Sequence, residues 1–348
     1  MRMNKANKLN LKKWLLILAA FFVVLIFCVW PTNYIIEAPG QASPVSSLIK
    51  QNKKTNYHNL YFVTVSERPA LMIDYLTSFL RPYDTRYTRQ EVMGKSSSQE
   101  YEQMQKYYME TSQNNALYYA AKKAKIPYRQ KYLGVYVMNI LPGSSFKDKL
   151  KVGDTIKAVN GHQFSSTKEL MNYLSSLAPQ EKITVKVLRN HHSYILKGKT
   201  MHLSGTKRVG IGIQLVDHTE VITKPKIRID AGNIGGPSAG LMFSLASYQI
   251  FTHHKFTTAK IAGTGTIDED GHVGIIGGVD KKVVAADKAG MKVFFAPTDQ
   301  PTGVKKSKTN YVEAKKTASK LHTKMKIVPV KNFDDALNYL KQHPSLKD

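Results

Sequence analysis

The sequence predicts an α/β (α+β) protein with a β-rich module in its middle and one N-terminal transmembrane helix. Three observations predict this fold class. An uncharged apolar run follows a basic N-terminal segment. Residues 125–204 contain many signals for strands and turns. Over residues 205–348, predicted strands alternate with predicted helices. With 348 residues, of which 42% are hydrophobic, the chain can fill more than one core.

The N-terminal segment has the pattern of a membrane anchor. Residues 1–13 carry five basic side chains and no acidic one, and the uncharged run from Trp14 to Trp30 comes next. Its length is near the lower limit for crossing a bilayer, and tryptophans are typical of both interfaces. We predict a cytoplasmic head at residues 1–13, a single-pass transmembrane helix at residues 14–31, and the catalytic part of the chain outside the cell membrane. A cleaved signal peptide is the alternative, although the run lacks a small-x-small cleavage pattern.

The charge balance of the chain is strongly basic. It contains 51 Lys and Arg against 25 Asp and Glu, a formal net charge of +26. Such an excess suits nucleic acid or an anionic surface. An extracellular body makes nucleic acid an unexpected partner, and no basic run carries the interleaved aromatics of a single-strand binder. The only cysteine, Cys28, lies within the apolar run, so the rest of the chain can form no disulfide.

Residues 32–124 are predicted to be the N-terminal part of the extracytoplasmic body. A short extended segment follows the apolar run, residues 59–66 alternate as a strand does, and residues 100–123 have the pattern of one long helix. No catalytic motif is found in this segment.

Residues 125–204 have the texture of a small β-rich domain. Strands are predicted at residues 135–140 and 155–159, and a helix begins at the capping box formed by Ser166 and Glu169. The motifs YLGV at residues 132–135 and GDTI at residues 153–156 resemble those of a PDZ domain of the permuted bacterial kind.

The resemblance to a PDZ domain implies a peptide-binding strand. The backbone of this strand would pair with an extended peptide, and free N–H groups at its start would hold the terminal carboxylate of that peptide. The alternative is a packing module whose groove is blocked. The predicted peptide-binding residues are Leu133, Gly134, Val135, Tyr136 and Val137.

Residues 233–240 read NIGGPSAG, which raises the question of a phosphate site. A P-loop requires GxxxxGK[ST], and a dinucleotide site requires GxGxxG after a strand; neither spacing is present. We therefore predict neither nucleotide nor any other cofactor, and no metal ligands.

Ser238 in this stretch is a candidate nucleophile. Proline is common at the first position of a helix, so we predict that a helix begins at Pro237. The hydroxyl of Ser238 would then lie where free N–H groups and the helix dipole stabilise a negative oxygen. We predict that Gly235, Gly236 and Pro237 contact the oxyanion and the substrate backbone. A serine that only caps or packs is the alternative.

A serine nucleophile needs a base, and no histidine lies close to Ser238 in the sequence. A lysine serves if its amine is neutral near pH 7. Lys281 and Lys282 fall in the first turn of a helix that Asp280 is predicted to cap, where the dipole and burial both lower a lysine pKa. Because Lys282 shares a face with alanines, we predict it as the base and keep Lys281 as the alternative.

Three motifs resemble the proteolytic domain of the Lon family over residues 205–348: GPSAG at 236–240, TGT at 264–266 and GGVDKKVVAADKAG at 277–290. The resemblance implies a nucleophile at Ser238, a general base at Lys282, and a threonine, Thr264, that orients the amine. Gly235 stands where the family usually has an acidic residue, and Asp230 is a candidate replacement for that carboxylate. The chain also shows no ATPase module.

The order of segments resembles the membrane-anchored Lon-like serine proteases with a PDZ domain of Gram-positive bacteria, which include pheromone-processing enzymes. In that family the PDZ domain is inserted into the protease body. The resemblance implies an ATP-independent serine endopeptidase with a Ser-Lys dyad, acting on extracytoplasmic peptides or proteins, with a secreted pheromone among the candidate substrates. The PDZ domain would dock or gate the substrate. Two alternatives stay open, a non-catalytic PDZ-bearing binding protein and a C-terminal tail-processing Ser-Lys protease, as does a homo-oligomer.

Overall fold

The computed structural model describes residues 5–51, 57–206, 208–299 and 309–346, with side chains described from residue 13 onward. Helices and strands alternate along these ranges, which confirms the mixed α/β character. The helices are α1 (Lys5–Cys28), α2 (Met72–Thr77), α3 (Arg89–Met93), α4 (Ser98–Ala124), α5 (Thr167–Ser175), α6 (Gly240–Thr252), α7 (Val279–Lys288), α8 (Asn310–Leu321) and α9 (Phe333–Gln342).

The strands fall into three groups along the chain. Before the β-rich module lie β1 (Pro31–Pro44), β2 (Ile49–Gln51), β3 (Leu60–Leu71) and β4 (Thr85–Thr88). The middle group is β5 (Tyr128–Ile140), β6 (Thr155–Val159), β7 (Lys182–Arg189), β8 (His192–Lys199), β9 (Met201–His202), β10 (Val209–Gly210) and β11 (Ile213–Thr223). The last group is β12 (Ile227–Ile229), β13 (Ile261–Gly263), β14 (Thr266–Ile267), β15 (Val273–Gly274), β16 (Val293–Pro297) and β17 (Lys326–Val330).

The largest sheet combines strands from both ends of the chain. Its order is β17-β16-β13-β3-β1-β4. Strand β13 pairs in parallel with β16 on one side and with β3 on the other, and β3 pairs antiparallel with β1. The segment before the β-rich module therefore folds together with the segment after it.

Helix α6 forms the centre of the core beside this sheet. Its sequence is apolar on nearly every side, which is typical of a helix buried all round. It packs against α4 and β3, and the ring of Phe243 lies 6.0 Å from that of Phe62. Burying one such side chain contributes about 1.5–3 kcal/mol, so this contact fixes the start of α6 firmly against the sheet.

The β-rich module forms a second sheet with its own core. The strand order is β11-β5-β6-β7-β8, and α5 covers one face, with Val137, Phe146, Leu170 and Val185 fully buried between them. Strand β11 pairs antiparallel with β5 along its whole length, from Ile140 to Tyr128. The outer neighbour of β5 is thus supplied by this chain.

This pairing contradicts the predicted peptide-binding edge. The backbone of Val135 pairs with Ile156 of β6 on one side and with Asp217 of β11 on the other. The Oδ1 of Asp217 also accepts a hydrogen bond from the backbone N–H of Thr167, at the start of α5, at 2.6 Å. The prediction that residues 133–137 offer a free edge is therefore wrong in this conformation, and the alternative of a blocked groove describes it.

Gly134 is required for a different reason from the one predicted. Its φ is +138°, and a Cβ at this position would lie 2.4 Å from the backbone oxygen of Ile156. A side chain would push β5 away from β6. The close approach of two strands, rather than access for a peptide carboxylate, explains the glycine.

The N-terminal helix α1 ends at Cys28, and β1 begins three residues later at Pro31. The sequence prediction placed the end of the helix at residue 31. Within the ranges that the structure describes, no helix is long and apolar enough to cross a membrane. The transmembrane span predicted for residues 14–31 is not supported by this finding.

Candidate active site

Ser238 lies in the turn that leads into α6. The helix begins at Gly240 with Ala239 as N-cap, so the prediction of a helix start at Pro237 is three residues too early. The backbone N–H of Gly240 still reaches back to the oxygen of Pro237 at 3.3 Å. Ser238 therefore precedes the helix while keeping its hydroxyl near the N-terminal end.

Helix α4 crosses over this turn and holds it in place. The backbone N–H of Gly236 donates to the oxygen of Gln105 at 3.0 Å, and the hydroxyl of Ser112 donates to the oxygen of Pro237 at 2.9 Å. A Cβ on Gly235 would come within 2.8 Å of the Cβ of Gln105. The position has no room for an acidic side chain because α4 occupies that space, which explains the departure from the Lon pattern.

The same contacts bear on the predicted oxyanion residues. Gly236 has its N–H committed to Gln105, and Pro237 has no N–H to donate. In this conformation neither residue can serve as an oxyanion donor. Gly235, Gly236 and Pro237 all line a groove beside Ser238. Their contact with the backbone of a substrate stays a prediction.

Helix α7 carries two adjacent lysines, one of which reaches this turn. It begins at Val279 with Gly278 as N-cap, in the left-handed conformation and without a side-chain cap. The predicted cap by Asp280 is therefore wrong, and this side chain pairs with Lys281 at 3.2 Å instead. Lys281 and Lys282 are both 3% exposed, so burial does not distinguish them.

Only Lys282 is directed at the serine. Its Nζ lies 2.7 Å from the Oγ of Ser238 and 3.1 Å from the Oγ1 of Thr264. The structure thus brings together the three side chains that the sequence predicted, from the turn before α6, the segment after β13 and the first turn of α7.

Thr264 has two roles in this geometry. Its hydroxyl donates to the backbone oxygen of Ser238 at 3.1 Å, and the N–H of Gly265 donates to the same oxygen at 2.9 Å. With its proton used in this way, the Oγ1 of Thr264 can only accept from Lys282. One N–H of the amine is then fixed, which leaves the lone pair of a neutral Lys282 free to face Ser238.

Burial tunes Lys282 for proton transfer. Removal from water disfavours the ammonium form and lowers the pKa of Lys282 to about 7, although the charge of Glu37 acts in the opposite direction. The start of α7 adds the positive end of a helix dipole. A large fraction of the amine is therefore neutral near pH 7, as a general base requires.

Glu37 is the residue at this site that the sequence analysis missed. It comes from β1, and its Oε1 lies 3.1 Å from the Nζ of Lys281. Burial lowers the pKa of Lys281, but the charges of Asp280 and Glu37 outweigh it, so the pKa is raised. A charged residue within the apolar run IIEA was the available signal, since buried carboxylates need a partner.

Asp230 does not replace the missing acidic residue of the Lon pattern. Its carboxylate forms an ion pair with Lys50 on the surface, and that contact lowers its pKa. It is absent from the residues lining the clefts at Ser238. Glu37, from the opposite end of the chain, is the carboxylate beside the lysine pair.

A cleft of about 800 Å³ opens at Ser238 between β3, α4 and the turn before α6. Strand β13 pairs with β3 only as far as Phe62. Beyond this point, among the described residues, no strand pairs with residues 63–69 on the side opposite β1, and these residues line the cleft. The cleft wall also carries Glu67, whose carboxylate accepts a hydrogen bond from the hydroxyl of Tyr101 at 3.2 Å.

Candidate metal ligands do not cluster in the described ranges. No group of three or more His, Cys, Asp or Glu side chains there could hold a metal ion. The side chains in contact at Ser238 are two hydroxyls and the amine of Lys282.

Two segments of the chain match known families. Residues 107–197 match the PDZ domain, and residues 203–342 match the Lon protease (S16) C-terminal proteolytic domain. Strand β11, which fills the edge of the PDZ-like sheet, lies within the second match. The boundaries predicted at residues 125–204 and 205–348 stay predictions.

Individual relatives cover only part of the chain. The Lon protease of Campylobacter jejuni is 34% identical over 133 residues, which are 34% of this chain and 15% of that protein. The Lon protease of Fusobacterium nucleatum is 36% identical over 100 residues, which are 29% of this chain and 12% of that protein. The crystal structure of the PDZ domain of the SdrC-like protein from Listeria monocytogenes is 28% identical, with a TM-score of 0.24, and the match covers 25% of this chain and 90% of that one.

The chain therefore spans less than a sixth of the length of these two Lon proteases. It joins a segment that matches a PDZ domain to a segment that matches the proteolytic domain of Lon, and the second match supports a protease of the serine type.

Proposed function

We propose that this protein is an ATP-independent serine endopeptidase with a dyad of Ser238 and Lys282. The observation that carries the proposal is the 2.7 Å contact between the Nζ of Lys282 and the Oγ of Ser238, made by a buried lysine whose pKa is lowered to about 7. A nucleophile in hydrogen-bond contact with a base that is neutral at working pH is the arrangement that nucleophilic catalysis needs.

The reaction proceeds in two proton-coupled stages. As the Oγ of Ser238 attacks the peptide carbonyl, neutral Lys282 takes the hydroxyl proton; it then gives that proton to the leaving amine as the peptide C–N bond breaks. Water attacks the resulting acyl ester in the second stage, with Lys282 again taking and returning a proton, and Ser238 is regenerated. Thr264 keeps the amine aligned throughout.

The substrate backbone lies along the unpaired part of β3. Residues 63–69 offer backbone groups on the side facing the cleft, so an extended peptide can add as a further strand next to Ser238. Oxyanion binding by Gly236 requires that a hydrogen bond first be broken, because its N–H donates to the backbone oxygen of Gln105. This N–H becomes an oxyanion donor once a small shift of α4 releases it.

We place the enzyme on the cell membrane, with the N-terminus in the cytoplasm and the catalytic part outside. The basic head and the apolar side chains of α1, which are exposed in the described residues from Trp14 to Phe27, support a membrane-attached helix. The substrates are then extracytoplasmic peptides or proteins, a pheromone among them, and the PDZ-like sheet gates rather than docks them because β11 covers its edge.

The test uses purified full-length protein, an unstructured fluorogenic peptide and a fluorophosphonate probe that labels reactive serines. We expect Ser238→Ala and Lys282→Ala to abolish cleavage, and Ser238→Ala to abolish labelling, with or without ATP. Ser247→Ala is the matched control, because Ser247 is buried on the adjoining helix α6 and its hydroxyl has no hydrogen-bond partner among the residues that the structure describes. Full activity in both dyad variants would overturn the proposal.

The same assay separates the alternatives. A tail-processing protease would stop cleaving when the C-terminus of the substrate is amidated, whereas an endopeptidase would continue. A non-catalytic binding protein would show neither cleavage nor labelling of Ser238 in the unmodified chain.

A further inference from the structure

A group of exposed apolar side chains lies directly after β3. They belong to the last residue of β3, to α2 and to the short 3₁₀ turn at residues 78–80, and Leu80 is 84% exposed while Phe79 is 60% exposed. Spacings of three and four residues place most of them on one side of this helical segment. The members of this apolar patch are Leu71, Ile73, Leu76, Phe79 and Leu80.

The apolar patch is continuous with the end of α1. The backbone N–H of Met72, the first residue of α2, donates to the oxygen of Trp30 at 2.9 Å. Trp30 follows the run of exposed apolar side chains on α1 and is itself exposed. The patch and α1 thus meet at one point of the body, and both lack cover from the described part of the chain.

Arginines adjoin the apolar patch. Arg86 lies over the ring of Phe79, with its Cζ 4.0 Å from the ring centroid, and donates to the oxygen of Ser78 at 3.1 Å. Arg81 is also exposed. The carboxylate of Asp84 is almost fully buried and lies 3.5 Å from Arg81, and that of Asp74 on α2 lies 3.6 Å from Arg68. Three arginines thus accompany two carboxylates, which leaves an excess of one positive charge beside the patch.

We propose that the apolar patch lies in the interface of an anionic lipid bilayer, beside the point where α1 meets it. Apolar side chains with an arginine rim are the composition of interfacial segments, in which the rim meets lipid phosphates. A second copy of the chain is a poor occupant, because each copy has a formal net charge of +26. The inference rests on the proposed membrane attachment of α1, and not on the proteolytic chemistry.

Such seating fixes the position of the cleft. Strand β3 runs from the cleft at Glu67 to Leu71 at the patch, four residues further along. At about 3.3 Å per residue, the two are about 13 Å apart along the strand. The substrates reached most readily are then extended segments close to the membrane surface.

The experiment measures how deep single labels lie in a bilayer. Full-length protein with Cys28→Ala is placed in vesicles containing phosphatidylglycerol, and a fluorophore is attached at Leu80→Cys, Val23→Cys or Ile195→Cys. Ile195 on β8 is the matched control, since it is a large apolar residue, 69% exposed, within the PDZ-like sheet. We expect lipid-borne quenchers to quench the labels at positions 80 and 23 at least threefold more than the label at position 195.

Any of the following four outcomes would overturn the inference. Quenching at position 23 without position 80 would leave α1 in the lipid and the patch in water. Quenching at neither position, in protein that still cleaves peptide, would remove the membrane attachment while leaving the protease proposal intact. Energy transfer between labels at position 80, without lipid quenching, would identify a contact between copies. Equal quenching at positions 80 and 195 would show nonspecific adsorption.

Discussion

Lys281 and Lys282 are adjacent on α7 and equally buried, yet their surroundings give them opposite properties. Burial lowers the pKa of Lys282 to about 7, and only the more distant charge of Glu37 opposes it. Lys281 experiences burial as well, but the carboxylates of Asp280 and Glu37 lie within 3.3 Å and raise its pKa. The difference shows that burial lowers the pKa of a lysine only where no close carboxylate opposes it.

Helical geometry produces this contrast with one residue of spacing. Successive side chains on a helix point about 100° apart, so α7 directs Lys281 to β1 and Lys282 to the cleft. The charge of Lys281 compensates Glu37, which would otherwise favour the ammonium form of Lys282. One lysine thereby contacts Glu37 of β1 while the other contacts Ser238.

Exchanging each lysine for methionine gives the largest test of this comparison. Lys282→Met should lower kcat/KM by at least about 10⁴-fold, as loss of a dyad member does, while stability rises by about 1–3 kcal/mol because an amine with a lowered pKa is no longer buried. Lys281→Met should keep measurable turnover but lose about 1–3 kcal/mol of stability, since it leaves the partly buried carboxylates of Glu37 and Asp280 unpaired.

Urea unfolding and peptide hydrolysis at about pH 9, where the amine of Lys282 is neutral, measure the two effects in the same preparations. The comparison between the two lysines fails if Lys281→Met loses as much activity as Lys282→Met and both variants change stability in the same direction. A retained activity in Lys282→Met would transfer the role of base to Lys281.

Local pattern was sufficient to single out Ser238 and Lys282, whose side chains the structure brings within 2.7 Å of each other. The motif around Ser238 and the helix carrying Lys282 are both short segments, and a helix start with an inward lysine can be recognised from its neighbours. The strand β3 and the long helix α4 could be predicted for the same reason, because the hydrophobic periodicity of each lies within one segment of the sequence.

Contacts between distant segments could not be predicted in this way. The pairing of Glu37 with Lys281 joins residues more than 240 positions apart, and the fit of Gly235 under α4 depends on where that helix crosses. Strand β11 has an ordinary strand pattern, which does not reveal that its partner is the presumed peptide edge. Each outcome depends on tertiary approach, and local propensity contains no information on it.

Removing the hydroxyl of Thr264 should have a smaller effect. Thr264→Val keeps the shape of the side chain but loses the hydrogen bonds to Lys282 and to the oxygen of Ser238. The bond that orients Lys282 is worth about 1 kcal/mol in net terms, so we expect kcat/KM to fall about fivefold. Thr264→Ser restores the hydroxyl and should recover most of the activity; equal losses in both variants would show that packing, rather than orientation of the amine, matters here.

The smallest effect concerns the pH dependence of the reaction and comes from the ion pair behind Lys282. The carboxylate of Glu37 favours protonated Lys282, so Glu37→Gln should lower the pKa of Lys282 further and move the acidic limb of kcat/KM to lower pH. Lys281→Gln leaves Glu37 uncompensated, so the same limb should move to higher pH. We expect shifts of about 0.5 to 1 pH unit, equivalent to about 1 kcal/mol.

The decisive feature of this last measurement is that the two variants should shift the acidic limb of kcat/KM in opposite directions. Both variants break the same 3.1 Å contact, so a purely structural role for the pair would lower kcat/KM in both without moving the limb, or would move it in the same direction. The carboxylates of Asp280 and Glu67 are present in both proteins and do not affect the difference between them. Full pH profiles of the two variants and the unmodified chain, at fixed ionic strength because salt screens such charges, therefore separate tuning of Lys282 from simple support of α7.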